Sequence, residues 1–233
     1  MRAVLFDFDG TLAHTAPDLA AALHGLQESR GEKPAEYEDA RLRASGGTKA
    51  LLALAGIFPE DEEYESARAD FLHRYETGGY KRTFLFGGIK NALAEIAAEG
   101  WKWGVATNKP RRYFSAVAEK MGIDSNPEAE LPPDSLPLAS ALVAGDDCAR
   151  AKPSPQPLLL AAEIAGVAPK NAVYVGDDVR DAQAAQAAGM KFILAGWGYW
   201  AAAEWRRAPA AEAVAAAPKC IPPLARMIFR AGG

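Results

Sequence analysis

Ala3-Val4-Leu5-Phe6-Asp7-Phe8-Asp9-Gly10-Thr11-Leu12 is the stretch that decides the fold. Its run from residue 3 to residue 8 is short and apolar, with β-branched and aromatic members, and it ends in a glycine-containing turn. A strand buried on both faces of a parallel sheet reads this way. Asp7 and Asp9 stand at i and i+2, so on an extended segment they point to one side. Like charges held that close call for a cation or a retained proton. Ligands of open α/β sheets bind beyond the carboxyl ends of the strands, where this pair falls. Asp-Gly is also ordinary turn chemistry, so the dipeptide alone does not separate a site from a turn.

Four similar runs follow: Trp103-Gly104-Val105-Ala106, Ala141-Leu142-Val143-Ala144, Ala172-Val173-Tyr174-Val175 and Lys191-Phe192-Ile193-Leu194-Ala195. Helical patterns over 89–99, 111–121, 156–165 and 180–188 lie between and around them. This alternation predicts an α/β fold with a doubly wound, Rossmann-like parallel sheet. Residues 17–82 break the rhythm with helical patterns over 18–30, 36–43, 49–54 and 61–75 and no strand. They read as an inserted helical domain. The expected division is 1–15 and 83–233 for the α/β core and 16–82 for the insertion. Gly78-Gly79 and Gly87-Gly88 are hinge or loop points. Pro132-Pro133 and Pro137 mark a surface loop, and the Ala- and Pro-rich tail over 208–223 reads as a surface helix and a loop.

The 233 residues are 49 % apolar and 24 % charged, ordinary for a soluble globular enzyme, with a formal net charge of −4. That balance argues against a nucleic-acid partner, whose phosphates need a basic face. No uncharged apolar stretch approaches the roughly 20 residues that span a bilayer, which argues against a membrane partner. The apolar start is cut by Asp7 and Asp9 and is no signal peptide. Cys148 and Cys220 form no CxxC pair and lie near no histidine cluster, which argues against zinc. The expected location is the cytoplasm; no oligomeric state is assigned.

Three more strand ends carry candidate chemistry. After the second strand comes Thr107-Asn108-Lys109-Pro110. Its hydroxyl and amide can meet a phosphate, or can simply cap the next helix. Lys152-Pro153 precedes a helix start, and Lys152 is either a phosphate partner or a solvated surface lysine. After the fourth strand comes Gly176-Asp177-Asp178-Val179-Arg180-Asp181. Asp178 and Asp181 fit helix capping, and Asp177 fits a metal ligand. His14, just past the first motif, is an exposed loop residue or a substrate contact.

These four strings, in this order, resemble the haloacid dehalogenase superfamily of phosphatases over nearly the whole chain, with a helical cap inserted after the first motif. The resemblance implies Mg²⁺-dependent phosphomonoester hydrolysis on a small phosphorylated metabolite. It makes Asp7 the nucleophile and Asp9 the general acid and then base, its backbone carbonyl on the metal. Thr107, Asn108 and Lys152 would hold the phosphate. Asp177 would bind the metal directly and Asp181 through water. Asp178 departs from the pattern of phosphoglycolate phosphatases, which usually carry a small hydroxyl residue there. Asp9 and Asp177 argue for phosphate chemistry over dehalogenation, which needs neither. A sugar-phosphate mutase would share all four motifs, whereas a non-catalytic relative would be expected to lose Asp7, Asp9 or Lys152. The strings around Thr15-Ala16-Pro17-Asp18-Leu19 are similar to phosphoglycolate phosphatases. Ser45-Gly46-Gly47 also fits the related phosphatases of N-acetylmuramic acid 6-phosphate. In the cap, Arg43, Ser45, Gly46, Gly47 and Lys49 are the candidates for recognising the leaving group, through a substrate carboxylate.

Overall fold

The strand that opens the chain stands inside the sheet. In this computed structural model, which describes residues 1–129, 132, 134–200 and 209–231, β1 (Ala3–Phe6) is buried at every position. It pairs in parallel with β4 (Lys102–Ala106) on one side and β6 (Ala172–Gly176) on the other. With β5 (Ala141–Val143), β7 (Lys191–Ala195) and β8 (Ala213–Ala215), the sheet runs β5-β4-β1-β6-β7-β8, all parallel. The chain steps outward from β1 through β4 to β5, then crosses back to continue on β1's other side. That reversal puts the carboxyl end of β1 at the topological switch point, where such sheets bind ligands.

Five helices complete this unit among the described residues: α5 (Ile89–Ala98), α6 (Arg111–Lys120), α7 (Gln156–Ile164), α8 (Val179–Ala188) and α9 (Ile221–Ala231). Leu158, Ala161 and Ala162 of α7 and Ala182 and Ala185 of α8 share one buried cluster with Leu5, Tyr174 and Phe192 of the sheet. α9 and α5 are linked by Arg226, which reaches Glu95 and Glu99.

The tail differs from its sequence reading. Residues 213–215 form β8, which extends the sheet, and only then does the chain turn helical. Ala-Val-Ala has no strand signature of its own. The open edge of β7 recruits it, with Gly196 N–H donating to Ala215 O at 2.8 Å. Pro133 of the expected surface loop and residues 201–208 lie outside the described set.

The chain divides into two compact units, Met1–Leu12 with Leu85–Gly233, and Ala13–Phe84. The second is helical: α1 (Ala16–Ser29), α2 (Tyr37–Arg43), α3 (Gly47–Leu52) and α4 (Tyr64–Thr77), with 3-10 turns at Ala44–Gly46 and Ala53–Ala55. Buried Asp18 ties its two ends together, accepting from Arg82 N–H at 3.0 Å and from Thr83 Oγ1 at 2.7 Å. Two short segments, β2 (Ala13–His14) and β3 (Phe84–Leu85), pair beside it. Among the described residues no helix is long and apolar enough to cross a membrane.

Candidate active site

Asp7 is the first residue past β1, and its N–H still continues the sheet ladder, donating to Val175 O at 2.8 Å. The ladder fixes its backbone, so its buried carboxylate is aimed by the sheet. Asp177 follows β6 and is 1 % exposed. Thr11 Oγ1 donates to one of its oxygens at 2.8 Å and Tyr199 N–H to the other at 2.7 Å. Two glycines make room for it: a Cβ at Gly10, which has φ +83°, or at Gly198 would collide with the Asp177 side chain.

α8 begins in a reciprocal capping box. The Asp178 side chain accepts from Arg180 N–H at 2.8 Å, and Asp181 Oδ2 accepts from the N–H groups of Asp177 and Asp178 at 3.1 and 3.0 Å. Capping and site-building are therefore the same contact, and Asp181 is fully buried while making it. Asp178 forms an ion pair with Arg180 at 2.7 Å, pointing it away from any metal role.

Lys152 joins the two sets. Its side chain is 2 % exposed, with Nζ 2.7 Å from Asp7 Oδ1 and 2.7 Å from Asp181 Oδ1. At this separation the ammonium meets both oxygens as a charge. It does donate a hydrogen bond, to Tyr174 Oη at 2.9 Å. Asn108, past the end of the neighbouring strand β4, fixes the lysine backbone: its Oδ1 accepts from Lys152 N–H at 2.8 Å and its Nδ2 donates to Lys152 O at 3.0 Å. The Asn108 side chain, expected on a phosphate, is thus engaged by the loop that carries Lys152. Thr107 is buried at the end of β4, and its hydroxyl accepts from Lys109 N–H at 3.2 Å.

Lys109 has a part that its motif does not announce. Its buried ammonium lies 3.1 Å from Asp9 Oδ1. A lysine three residues past a strand end, between an amide and a proline, was the available signal. Tyr174 was also passed over. A tyrosine in a strand covered on both faces must find a partner for its hydroxyl, and that was the signal for it.

Asp7, Asp177 and Asp181 offer carboxylate oxygens that all lie within 4.8 Å of one another. The Lys152 ammonium meets two of these three buried carboxylates, Asp7 and Asp181. Burial, then Asp7 and Asp181, raise the Asp177 carboxyl well above the usual range. Burial raises Asp181 to about 7, with Asp7 and Asp178 adding to it and Lys152 opposing it. Burial works against the Lys152 charge, but Asp181 and Asp7 outweigh it and the lysine is held protonated. A hard divalent cation, which takes oxygen ligands, suits such a set, because it supplies the charge the cluster lacks.

The expected leaving-group residues lie in the helical unit. Arg43 ends α2 and is exposed, Ser45 and Gly46 form the 3-10 turn, and Gly47 and Lys49 belong to α3, with Lys49 exposed. His14 is in the same unit. Its Nε2 lies 3.3 Å from Tyr37 Oη and its ring stacks edge-on against Phe84 at 5.1 Å. Burial and then Arg41 lower its pKa, which favours the neutral imidazole.

A doubly wound sheet with a helical insertion after β1, and with three clustered carboxylates at its strand ends and a lysine on two of them, defines a class of hydrolases. Residues 1–189 match the haloacid dehalogenase-like hydrolase family, and the chain belongs to it. Within that family it is similar to enzymes named as phosphatases, and it is a phosphatase. It is 35 % identical over 200 residues to the N-acetylmuramic acid 6-phosphate phosphatase of Pseudomonas aeruginosa, covering 85 % of this chain and 83 % of that one. It is 39 % identical over 200 residues to the phosphoglycolate phosphatase of Xylella fastidiosa, covering 85 % and 81 %. The crystal structure of a predicted phosphoglycolate phosphatase from Haemophilus somnus superposes with a TM-score of 0.78 at 23 % identity, covering 95 % of this chain and 96 % of that one, a likeness of fold.

Proposed function

We propose that this phosphatase is Mg²⁺-dependent, works through a covalent phosphate on Asp7, and hydrolyses 2-phosphoglycolate. The observation that carries the mechanism is the buried Lys152 ammonium, 2.7 Å from both Asp7 and Asp181. A lysine so placed sets a positive charge beside both the Asp7 carboxylate and the incoming phosphoryl group. Asp7 attacks phosphorus and the ester P–O bond breaks, while Asp9 gives its proton to the departing alkoxide. Asp9, now a carboxylate, takes a proton from water. The water oxygen bonds to phosphorus, the bond to Asp7 breaks, and inorganic phosphate leaves.

Thr107 and Lys152 hold the phosphate, and Asn108 acts through Lys152. Lys109 orients Asp9. Asp7, Asp177 and the Asp9 backbone carbonyl hold the metal, with Asp181 behind them. When bound, Mg²⁺ neutralises phosphate oxygens and offsets repulsion among the carboxylates. Residues 16–82 act as the cap, and Arg43, Ser45, Gly46, Gly47 and Lys49 select the leaving group, with Arg43 or Lys49 pairing the substrate carboxylate. The setting is cytoplasmic, in keeping with two free cysteines.

The substrate rests on the likeness to phosphoglycolate phosphatases. The likeness to the Pseudomonas aeruginosa enzyme, together with Ser45-Gly46-Gly47, favours N-acetylmuramic acid 6-phosphate as the second reading. Rates on these two esters and on hexose phosphates, measured side by side with Mg²⁺ and with chelator, decide. The proposal expects the highest kcat/KM on 2-phosphoglycolate and none with chelator. A higher value on N-acetylmuramic acid 6-phosphate replaces the substrate, and an isomeric phosphate without free phosphate replaces the reaction.

A further inference from the structure

Tyr174 is the one polar side chain in β6, and it is wholly buried. Its hydroxyl donates to Ala106 O at 2.6 Å and accepts from Lys152 Nζ at 2.9 Å. Ala106 is the last residue of β4, directly before Thr107. The phenol therefore fastens the lysine of one loop to the end of the strand that presents the threonine, across the amino-acid sequence from residue 106 to residue 152. The lysine has three neighbours: the carboxylates of Asp7 and Asp181, and this hydroxyl. The two carboxylates set its charge. The hydroxyl is the neutral one, and it is backed by a main-chain carbonyl that cannot move without disturbing the sheet.

Burial and then the nearby carboxylates Asp181 and Asp7 push the phenol well above its ordinary pKa, so it stays protonated and its single hydrogen remains committed to Ala106 O. Its oxygen is left as an acceptor aimed at the lysine. We propose that Tyr174 is a positioning residue for phosphoryl transfer, holding the Lys152 ammonium in register with Asp7 on one side and Thr107 on the other. The inference rests on the roles given above to Asp7, Lys152 and Thr107. It adds that the register of the lysine is set from the interior of the sheet, by a residue that never meets substrate.

Tyr174→Phe tests it, with Phe192→Leu as the control. Phe192 shares the buried cluster and stands beside Tyr174, with ring centroids 6.5 Å apart, and its side chain has no polar atom to bond the ammonium. Tyr174→Phe is expected to lower kcat by roughly 10- to 100-fold, the worth of one hydrogen bond to a charged group. KM should change by less than about 3-fold, and the loss should be the same on 2-phosphoglycolate and para-nitrophenyl phosphate, because the leaving group is not involved. In metal-free protein, inorganic phosphate should raise the Tm of the wild type more than that of Tyr174→Phe. Phe192→Leu is expected to lower Tm and to keep kcat within about 3-fold of wild type. Wild-type kcat in Tyr174→Phe overturns the inference. So does a kcat loss that both variants share in proportion to their loss of Tm. If the wild type itself releases no phosphate from any ester, the proposed function fails instead. The phosphate-induced Tm shift then still decides whether Tyr174 governs the anion site.

Discussion

The cluster at the ends of β1, β4 and β6 and the turn from Arg43 to Lys49 differ in how firmly their charged groups are held. In the cluster, Asp181 caps α8 and meets Lys152, Lys152 meets two carboxylates and a phenol, and Asp177 is gripped from two sides. In the turn, Arg43 and Lys49 are exposed and hold no ion pair among the described residues. Chemistry that must recur at every turnover is built from buried groups that define one another. Under the proposed function, selection among leaving groups falls to exposed side chains, whose replacement should cost the fold little.

Breaking the cluster should therefore cost far more than altering the turn. Asp7→Asn removes the nucleophile and is expected to lower kcat on para-nitrophenyl phosphate by about four orders of magnitude or more, with the protein still folded by circular dichroism. Wild-type turnover in that variant would remove Asp7 from the reaction. Asn108→Ala frees the Lys152 backbone. It should lower kcat roughly 10- to 100-fold and cost about 1–3 kcal/mol of stability in urea titration, since two buried backbone groups lose their partner.

Asp181 gives the cluster a pH signature. Its folded pKa, about 7, stands above its ordinary value, so the native state binds the proton more tightly than the unfolded state. That contribution to stability is full below about pH 4 and is lost as pH rises through about 7. The raised Asp177 acts in the same sense, whereas Lys152 stays protonated throughout this window. The Tm of metal-free protein should fall between pH 5 and pH 8, and saturating Mg²⁺ should flatten the fall; a rising Tm would contradict the charge balance described. Smallest of all, Arg43→Ala or Lys49→Ala should raise KM for 2-phosphoglycolate by about 3- to 10-fold and leave both Tm and the rate on para-nitrophenyl phosphate unchanged. Equal losses on both esters would show that the turn does not read the leaving group.

The same contrast explains what could be read from the amino acids alone. The five strands 3–6, 102–106, 141–143, 172–176 and 191–195 were legible because each is an apolar run ending in turn chemistry. Asp7 and Asp177 stood out as candidates because each directly follows such a run, whereas Lys152 and Asp181 were singled out only by the resemblance of the four strings taken together. β8 was not, because Ala213–Ala215 becomes a strand only beside β7. The contacts of Asn108, Lys109 and Tyr174 were not legible for a related reason. Their partners, Lys152, Asp9 and Ala106, are brought to them by the order of the sheet, not by spacing along the chain.

The central claim is a covalent phosphate on Asp7, and borohydride tests it most directly. Enzyme quenched during turnover and reduced should carry homoserine at position 7, because hydride cleaves the acyl phosphate and reduces that carboxyl group. The peptide holding residues 3–12 should show this change only when substrate and Mg²⁺ are both present. Reduction at another carboxylate, or an unmodified Asp7 in enzyme caught at full turnover, would contradict the account.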